Sequence, residues 1–334
     1  MSSIRTRLAA TLLAAGGMLL AALVAAPLAG STSISIAKVF DAGVPFADNV
    51  DAQIFFVARL PRVLVAALVG SALAAAGVVF QALFRNPLAS PDTLGVSSGA
   101  ALGAVAAISL GLDISIGGVT AVPLASLAGS VGALGIVYTL ATARRRGLST
   151  TVLLLAGVTM TAFFSAIIMF MQYLADFTDT FRMVRWLMGS LDVGSYAPIL
   201  AVLPLLAVAF ALLATLPRAL DLLSLGVDAA SARGVDVPYV ERVALVSASL
   251  ATGAAVSLGG PVGFVGIVVP HMVRLVVGSD HRLVLPASAL FGATFLIACD
   301  LAARTLFSPI EVPVGIVTAL IGGPFFLWLL IRRS

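Results

Sequence analysis

One lysine, Lys38, one cysteine, Cys299, and two histidines, His271 and His281, are all that this chain holds of three chemically versatile residue types. Each scarcity closes off a chemistry. A phosphate-binding loop of the Walker type needs a lysine behind its glycines, and Lys38 lies in "SIAKVF" with no glycine run before it. The chain therefore has no such loop with which to hold ATP. A lone cysteine makes neither an internal disulfide nor a zinc site, and neither histidine belongs to an H-E-x-x-H pair. Charged residues are only 10% of the 334, where soluble domains run near a quarter. The carboxylates sit at or near the ends of apolar runs, whereas ion-coupled carriers keep them near mid-membrane. Asp300 is the deepest, one turn before Arg304, a spacing that suits a local i,i+4 ion pair. The chain is basic, at net +4, but has no basic stripe with interleaved aromatics, so nucleic acid is not an expected partner. No enzymatic activity, catalytic residue or metal site is expected.

What the chain has in quantity is apolar length. Hydrophobic residues are 60% of it and the mean hydropathy is +1.14. Runs long enough to cross a hydrocarbon core of ~30 Å recur throughout, and the ~10-residue alternating segments of a membrane β-barrel are absent. The fold expected is all-α and polytopic, one membrane domain over residues 1–334. Ten spans are read at about 8–28, 60–83, 94–112, 115–140, 149–172, 195–216, 240–258, 262–277, 284–303 and 313–331. Arg5 and Arg7 precede an apolar stretch too long for the core of a signal peptide, so it is read as a retained first span. Arg85, the cluster at 144–146, Arg218, Arg233, Arg242, Arg274, Arg282, Arg332 and Arg333 fall on the side of both termini. Lys38, Arg59, Arg62, Arg182, Arg185 and Arg304 fall on the other. The positive-inside rule then makes both termini cytoplasmic.

Spans two and seven open alike, "RVLVAALVGSALAAAG" (62–77) and "RVALVSASLATGAAVS" (242–257). Their odd separation suggests an inverted repeat of spans 2–5 and 7–10. In "FRNPLASPDTLGVSSGA" (84–100), Pro87 and Pro91 stop span two and Asp92 or Thr93 is placed to cap span three. Gly95, Gly99 and Gly103 then share a helical face suited to close packing. Met160, Phe164, Ile167, Ile168 and Met171 form a stripe on span five, read as packing, with a flexible wall for a bulky substrate as the alternative. The inside connection "PRALDLLSLGVDAASARGVDVPYVER" (217–242) reads as two short helices broken at Gly226 and Gly234. It is a surface hairpin or a docking element for a cytoplasmic partner. Arg59, Arg62 and Arg304 line the outer ends of spans two and nine. Either they snorkel to headgroups or they form a basic rim for the acidic residues of a soluble protein.

Seven stretches occur in order over most of the chain: "RLPR" (59–62), "NPLASPDTLGVSSGA" (86–100), "RRRGLSTTVLLLAGV" (144–158), "LGVDAASARGV" (225–235), "GFVGIVVPHMVR" (263–274), "DHR" (280–282) and "EVPVGIVTALIGGPFF" (311–326). In these the chain resembles the permease subunits of bacterial ABC importers for vitamin B12, ferric siderophores and haem. The resemblance implies ten helices and a homodimer with the pathway on its twofold axis. It also implies two cytoplasmic ATPase subunits that use ATP and Mg, with no cofactor on this chain, and a periplasmic or lipid-anchored substrate-binding protein. Residue by residue, Arg59, Arg62 and Arg304 match arginines that dock the binding protein. Asn86 and Leu88 match one cytoplasmic gate, and Ser149 and Thr150 a second. Leu225, Gly226, Ala230, Arg233 and Gly234 fall in the segment that couples to the ATPase. Val227 and Arg233 depart from the acidic residue and the leucine usual there, which bears on which ATPase fits. The implied function is uptake of a metal chelate across the bacterial cytoplasmic (inner) membrane. Ferric siderophore comes first as the most populous branch, and haem and cobalamin remain open. A stand-alone carrier or channel driven by an ion gradient is the alternative.

Overall fold

The computed structural model describes residues 4–142, 150–308 and 310–333. Ten apolar helices carry the fold: α1 (Ile4–Leu28), α2 (Leu60–Leu83), α3 (Val96–Ser109), α4 (Ala121–Thr142), α5 (Thr150–Leu174), α6 (Ala197–Thr215), α7 (Val237–Gly259), α8 (Val265–Val277), α9 (His281–Thr305) and α10 (Val314–Arg333). Seven belong to helical runs long and apolar enough to cross a membrane, and three are shorter: α3, α8 and the apolar part of α10, Val314–Trp328. The run that contains α2 begins at Val50 and passes through a π-helical turn at Ile54–Arg59. The membrane-protein expectation holds, and the helix positions follow the spans read from hydropathy.

Of the short helices, α3 and α8 are largely interior, whereas α10 leaves Leu320, Ile321 and Leu327 exposed. The 14 residues of α3 reach only about 21 Å, short of a bilayer core. Non-helical backbone at that depth is tolerated where protein covers it. Before α3 the chain makes a 3-10 turn, Pro91–Leu94, and Thr93 Oγ1 donates to the Ser90 carbonyl at 2.7 Å. Helix α3 therefore starts from Gly95, in the left-handed region at φ 76°, with no side-chain cap. This corrects the expected cap at Asp92 or Thr93. Before α8, Gly259 accepts a hydrogen bond from the Ser190 amide at 2.9 Å, so the break there is also closed by protein.

Helices α2 and α7, the pair with similar openings, lie side by side at the centre, each 78% buried over its most apolar window. No large side chain separates the helices where they cross. A Cβ on Gly77 of α2 would fall 2.0 Å from the Gly266 carbonyl of α8, and one on Gly70 2.2 Å from that of Gly292 in α9. Helices α3 and α4 meet likewise, a Cβ on Gly103 landing 2.0 Å from the Ala125 carbonyl. This is small-residue packing, in which dispersion between close backbones replaces the hydrophobic drive that lipid removes. Gly99 and Gly103 do face α4, but Gly95 looks toward Gly157 of α5, so the three glycines do not share one partner. The expected start of span four is also corrected. Residues 115–120 form a two-stranded hairpin, β1 (Ser115–Ile116) and β2 (Val119–Thr120), closed by Gly117 and Gly118 at positive φ.

Candidate functional site

Two ends of the bundle carry the polar chemistry. At one end the expected Asp300–Arg304 pair is present, Arg304 Nε standing 2.9 Å from Asp300 Oδ2. The other carboxylate oxygen of Asp300 accepts from Arg62 Nε at 2.8 Å. Arg62 Nη1 also reaches Glu311 Oε2 at 2.6 Å. Asp300 is wholly buried, and each of its carboxylate oxygens is paired with an arginine. Arg304 and Arg59 turn inward instead of toward solvent. Arg59 Nη1 donates to the carbonyls of Pro27 and Leu28, at 3.2 Å each, and its Nη2 to that of Thr32. Arg304 donates to the Ala29 carbonyl at 3.3 Å and that of Ala26 at 3.5 Å. Those of Ala26, Pro27, Leu28 and Ala29 end α1, where a helix leaves its last C=O groups unpaired and its dipole negative. Two arginines thus form the cap of α1. Gly30 is needed beneath them, because a Cβ there would meet the Arg59 guanidinium at 2.6 Å.

Of the three rim arginines, Arg59 is 6% and Arg304 4% exposed. Only the Arg62–Glu311 pair reaches the surface, its side chains 13% and 50% exposed. The structure brings the three together, as their common end required, but as an internal network. The signal for this was faint: Asp300, an acid inside an apolar run, and Glu311, at the head of "EVPVGIV".

At the opposite end the chain between α6 and α7 folds as two short helices, Pro217–Leu223 and Val227–Ala232. They break where the sequence suggested, with φ 113° at Gly226 and 82° at Gly234. Ala230 is fully buried and pins the second helix, while Leu225, Val227, Arg233 and Gly234 face outward. Asp221 was missed by the sequence reading. Its Oδ1 accepts from the His281 backbone amide at 2.9 Å and lies 2.7 Å from the ring Nδ1. It therefore joins Asp280, the N-cap residue, in satisfying the start of α9. One carboxylate ties the exposed hairpin to the first turn of a membrane helix.

Beside it lies the turn after α2. Asn86 Oδ1 accepts from the Leu88 amide at 2.9 Å, which folds the turn on itself, and Leu88 projects at 40% exposure. Gln81, buried in the last turn of α2, donates to the Gly266 carbonyl at 3.1 Å and accepts from Arg274. The turn is thus joined to α8. Thr150 opens α5, while Ser149 and the arginines at 144–146 lie outside the described residues. "GVSSG" at 95–99 spells G-x-S-x-G, yet it opens a helix after a 3-10 turn, not after a strand, and Ser97 is buried. Phe164 and Ile168 of the α5 stripe are buried inside the subunit, as the packing reading expects. No group of three or more His, Cys, Asp or Glu fit to hold a metal occurs among the described residues.

A model of the FecCD transport family matches residues 18–332. The chain belongs to that family. Three similar proteins carry different cargo in their names. The cobalamin import system permease of Halobacterium salinarum is 45% identical over 83% of this chain and 73% of its own length. The hemin transport system permease of Yersinia pestis is 40% identical over 82% of each chain. The Fe(3+) dicitrate transport system permease FecD of Escherichia coli is 40% identical over 82% of this chain and 84% of its own. A solved structure in an inward-facing conformation, assigned to the metal-chelate type of ABC transporter, superposes with TM-score 0.83 at 34% identity. It covers 96% of this FecCD-family chain and 98% of the solved one.

Proposed function

We propose that this FecCD-family chain is the membrane-spanning permease subunit of an ATP-driven metal-chelate importer, with ferric siderophore as first candidate cargo and haem or cobalamin next. It lies in the cytoplasmic membrane with both termini inside. It works as a homodimer with two ATPase subunits, which use ATP and Mg, and with an external substrate-binding protein. The observation that carries the reading is the hairpin of Pro217–Leu223 and Val227–Ala232. It presents Leu225 at 61% exposure while Ala230 and Asp221 fix its inner face. An apolar knob on a firmly anchored hairpin is what rigid-body coupling to a soluble partner requires.

The outer end supports a narrower docking surface than three free arginines. Arg59 and Arg304 hold α1, so Arg62 is the residue that meets a carboxylate of the binding protein, exchanging Glu311 for it. Inside, Asn86 and Leu88, with Ser149 and Thr150, form the gates. An ion-gradient carrier finds little support, since Asp300 is already gripped by two arginines. Replacing residues 226–234 with a Gly/Ser linker tests the reading. The ATPase should then separate from the permease during purification in detergent, and its continued co-purification would sink the coupling assignment.

A further inference from the structure

A groove of about 860 Å³ opens on the side of the bundle, at the end that carries the 217–232 hairpin. Its walls are the start of α1 and the end of α6, and its floor is α2 and the first turns of α9. The lining is apolar over nearly all its length, with Leu8 and Leu12 on one wall and Phe210 and Ala214 on the other. The polarity changes at the mouth, where Arg218 and Arg282 stand. Arg5 precedes Leu8 and Leu12 at i, i+3, i+7 spacing, on the same face of α1 and one turn nearer the mouth.

Arg218 is uncommitted and Arg282 is shared with one carboxylate. Arg218 is exposed and makes no ion pair or hydrogen bond with the described residues. Arg282 gives Nε and Nη2 to Asp280, which leaves Nη1 without a described partner. The groove therefore offers a vertical gradient, hydrocarbon below and guanidinium above, within the size range of built ligand pockets. A soluble anion matches only the top of it and an acyl chain only the bottom.

We propose that this groove is a binding site for one anionic phospholipid of the adjacent leaflet. The headgroup phosphate lies between Arg218 and Arg282, and the acyl chains lie against Leu12, Phe210 and Ala214. Basic pockets between membrane helices recognise acidic headgroups in this way, each arginine adding to the attraction. Because α6 leads directly into the Pro217–Leu223 helix, the lipid would brace the root of the coupling hairpin. The proposal rests on the membrane placement of the helices and not on the importer reading.

The test is native mass spectrometry of the detergent-purified full chain with phosphatidylglycerol and phosphatidylcholine of identical acyl chains. Phosphatidylglycerol should be retained at least about tenfold better. Arg218→Gln and Arg282→Gln should each cut that preference about fivefold and leave phosphatidylcholine retention unchanged. Ala214→Trp, which fills the groove from an exposed position, should lower retention of both lipids. Equal retention of the two lipids by the unaltered chain would overturn the proposal. So would a preference that survives both arginine substitutions together, or retention untouched by Ala214→Trp. Each outcome is independent of transport or ATPase coupling, so failure here is distinct from failure of the importer reading.

Discussion

The two polar ends of this protein use charge in opposite ways. At one end Arg62, Asp300, Arg304 and Glu311 form an ion-pair network with Arg59 bonded to the backbone beside it, and Arg59, Asp300 and Arg304 are almost wholly buried. At the opposite end the charges of the 217–233 segment stand outward apart from Asp221, which bonds the segment to α9 while Leu220, Leu223 and Ala230 are buried beneath it. The first arrangement fixes helix ends against one another and leaves one pair at the surface. The second leaves a surface free for another molecule and anchors it from its inner face. A buried charge is specific because it is costly to unpair, whereas an exposed one is free to exchange partners.

That contrast is most easily broken at Asp300. Asp300→Asn leaves the buried Arg304 guanidinium without its carboxylate and Arg62 with Glu311 alone, and should cost about 3–5 kcal/mol. A fall in thermal stability in detergent checks it, and an unchanged melting temperature would mean the network is not what holds α2 to α9. Next comes the difference within the rim. Arg59→Gln should cost about 2 kcal/mol through lost capping of α1. Glu311→Gln, at an exposed pair, should cost under about 1 kcal/mol. The latter frees Arg62 and should therefore lower the concentration of binding protein needed for half-maximal ATPase stimulation, while Arg62→Gln raises it. If neither shifts that concentration, Arg62 is structural only.

At the hairpin end Asp221→Asn keeps the shape but loses the charge opposite His281. About 1 kcal/mol of stability should go. The ratio of stimulated to basal ATPase turnover should fall more than that loss explains. An unchanged ratio would leave Asp221 as a helix cap and no more. The smallest effect concerns pH. The hydrogen bond from Arg282, 2.7 Å from Nη2 to Oδ2, holds the Asp280 carboxyl below its ordinary value. A lowered folded-state pKa adds stability that is present above the unfolded carboxylate value near 3.9 and is lost as pH falls through the folded one. Melting in detergent should therefore soften slightly below about pH 4, and Asp280→Asn should remove that part of the slope.

Much of this was legible in advance. Apolar run length gave the helices within a few residues, because a bilayer demands whole helices and hydropathy reports them directly. The breaks at Gly226 and Gly234 were legible because a positive φ favours glycine. The hairpin at 115–120 was missed, since "SIGGVT" continues an apolar run and carries its turn signal in two glycines alone. The cap of α3 was missed because the 3-10 turn at Pro91–Leu94 puts Gly95, which has no side chain to cap with, at the start of the helix. The rim arginines share one end, as expected, but their inward direction was not legible, since the carbonyls they satisfy lie about thirty residues away for Arg59 and more than 270 for Arg304.

By itself the sequence determined that this chain is a bundle of membrane helices without an ATP loop, because both facts depend on composition and local spacing. Only the tertiary structure decided which charges are available to partners. Asp300 and Arg304 meet at i,i+4, yet Arg62 joins them from 238 residues away. Whether an arginine is a free rim or a buried cap depends on which carbonyls and carboxylates the fold brings within hydrogen-bond reach. The close backbone crossing of Gly70 on Gly292 brings α2 to α9, and no local pattern encodes it.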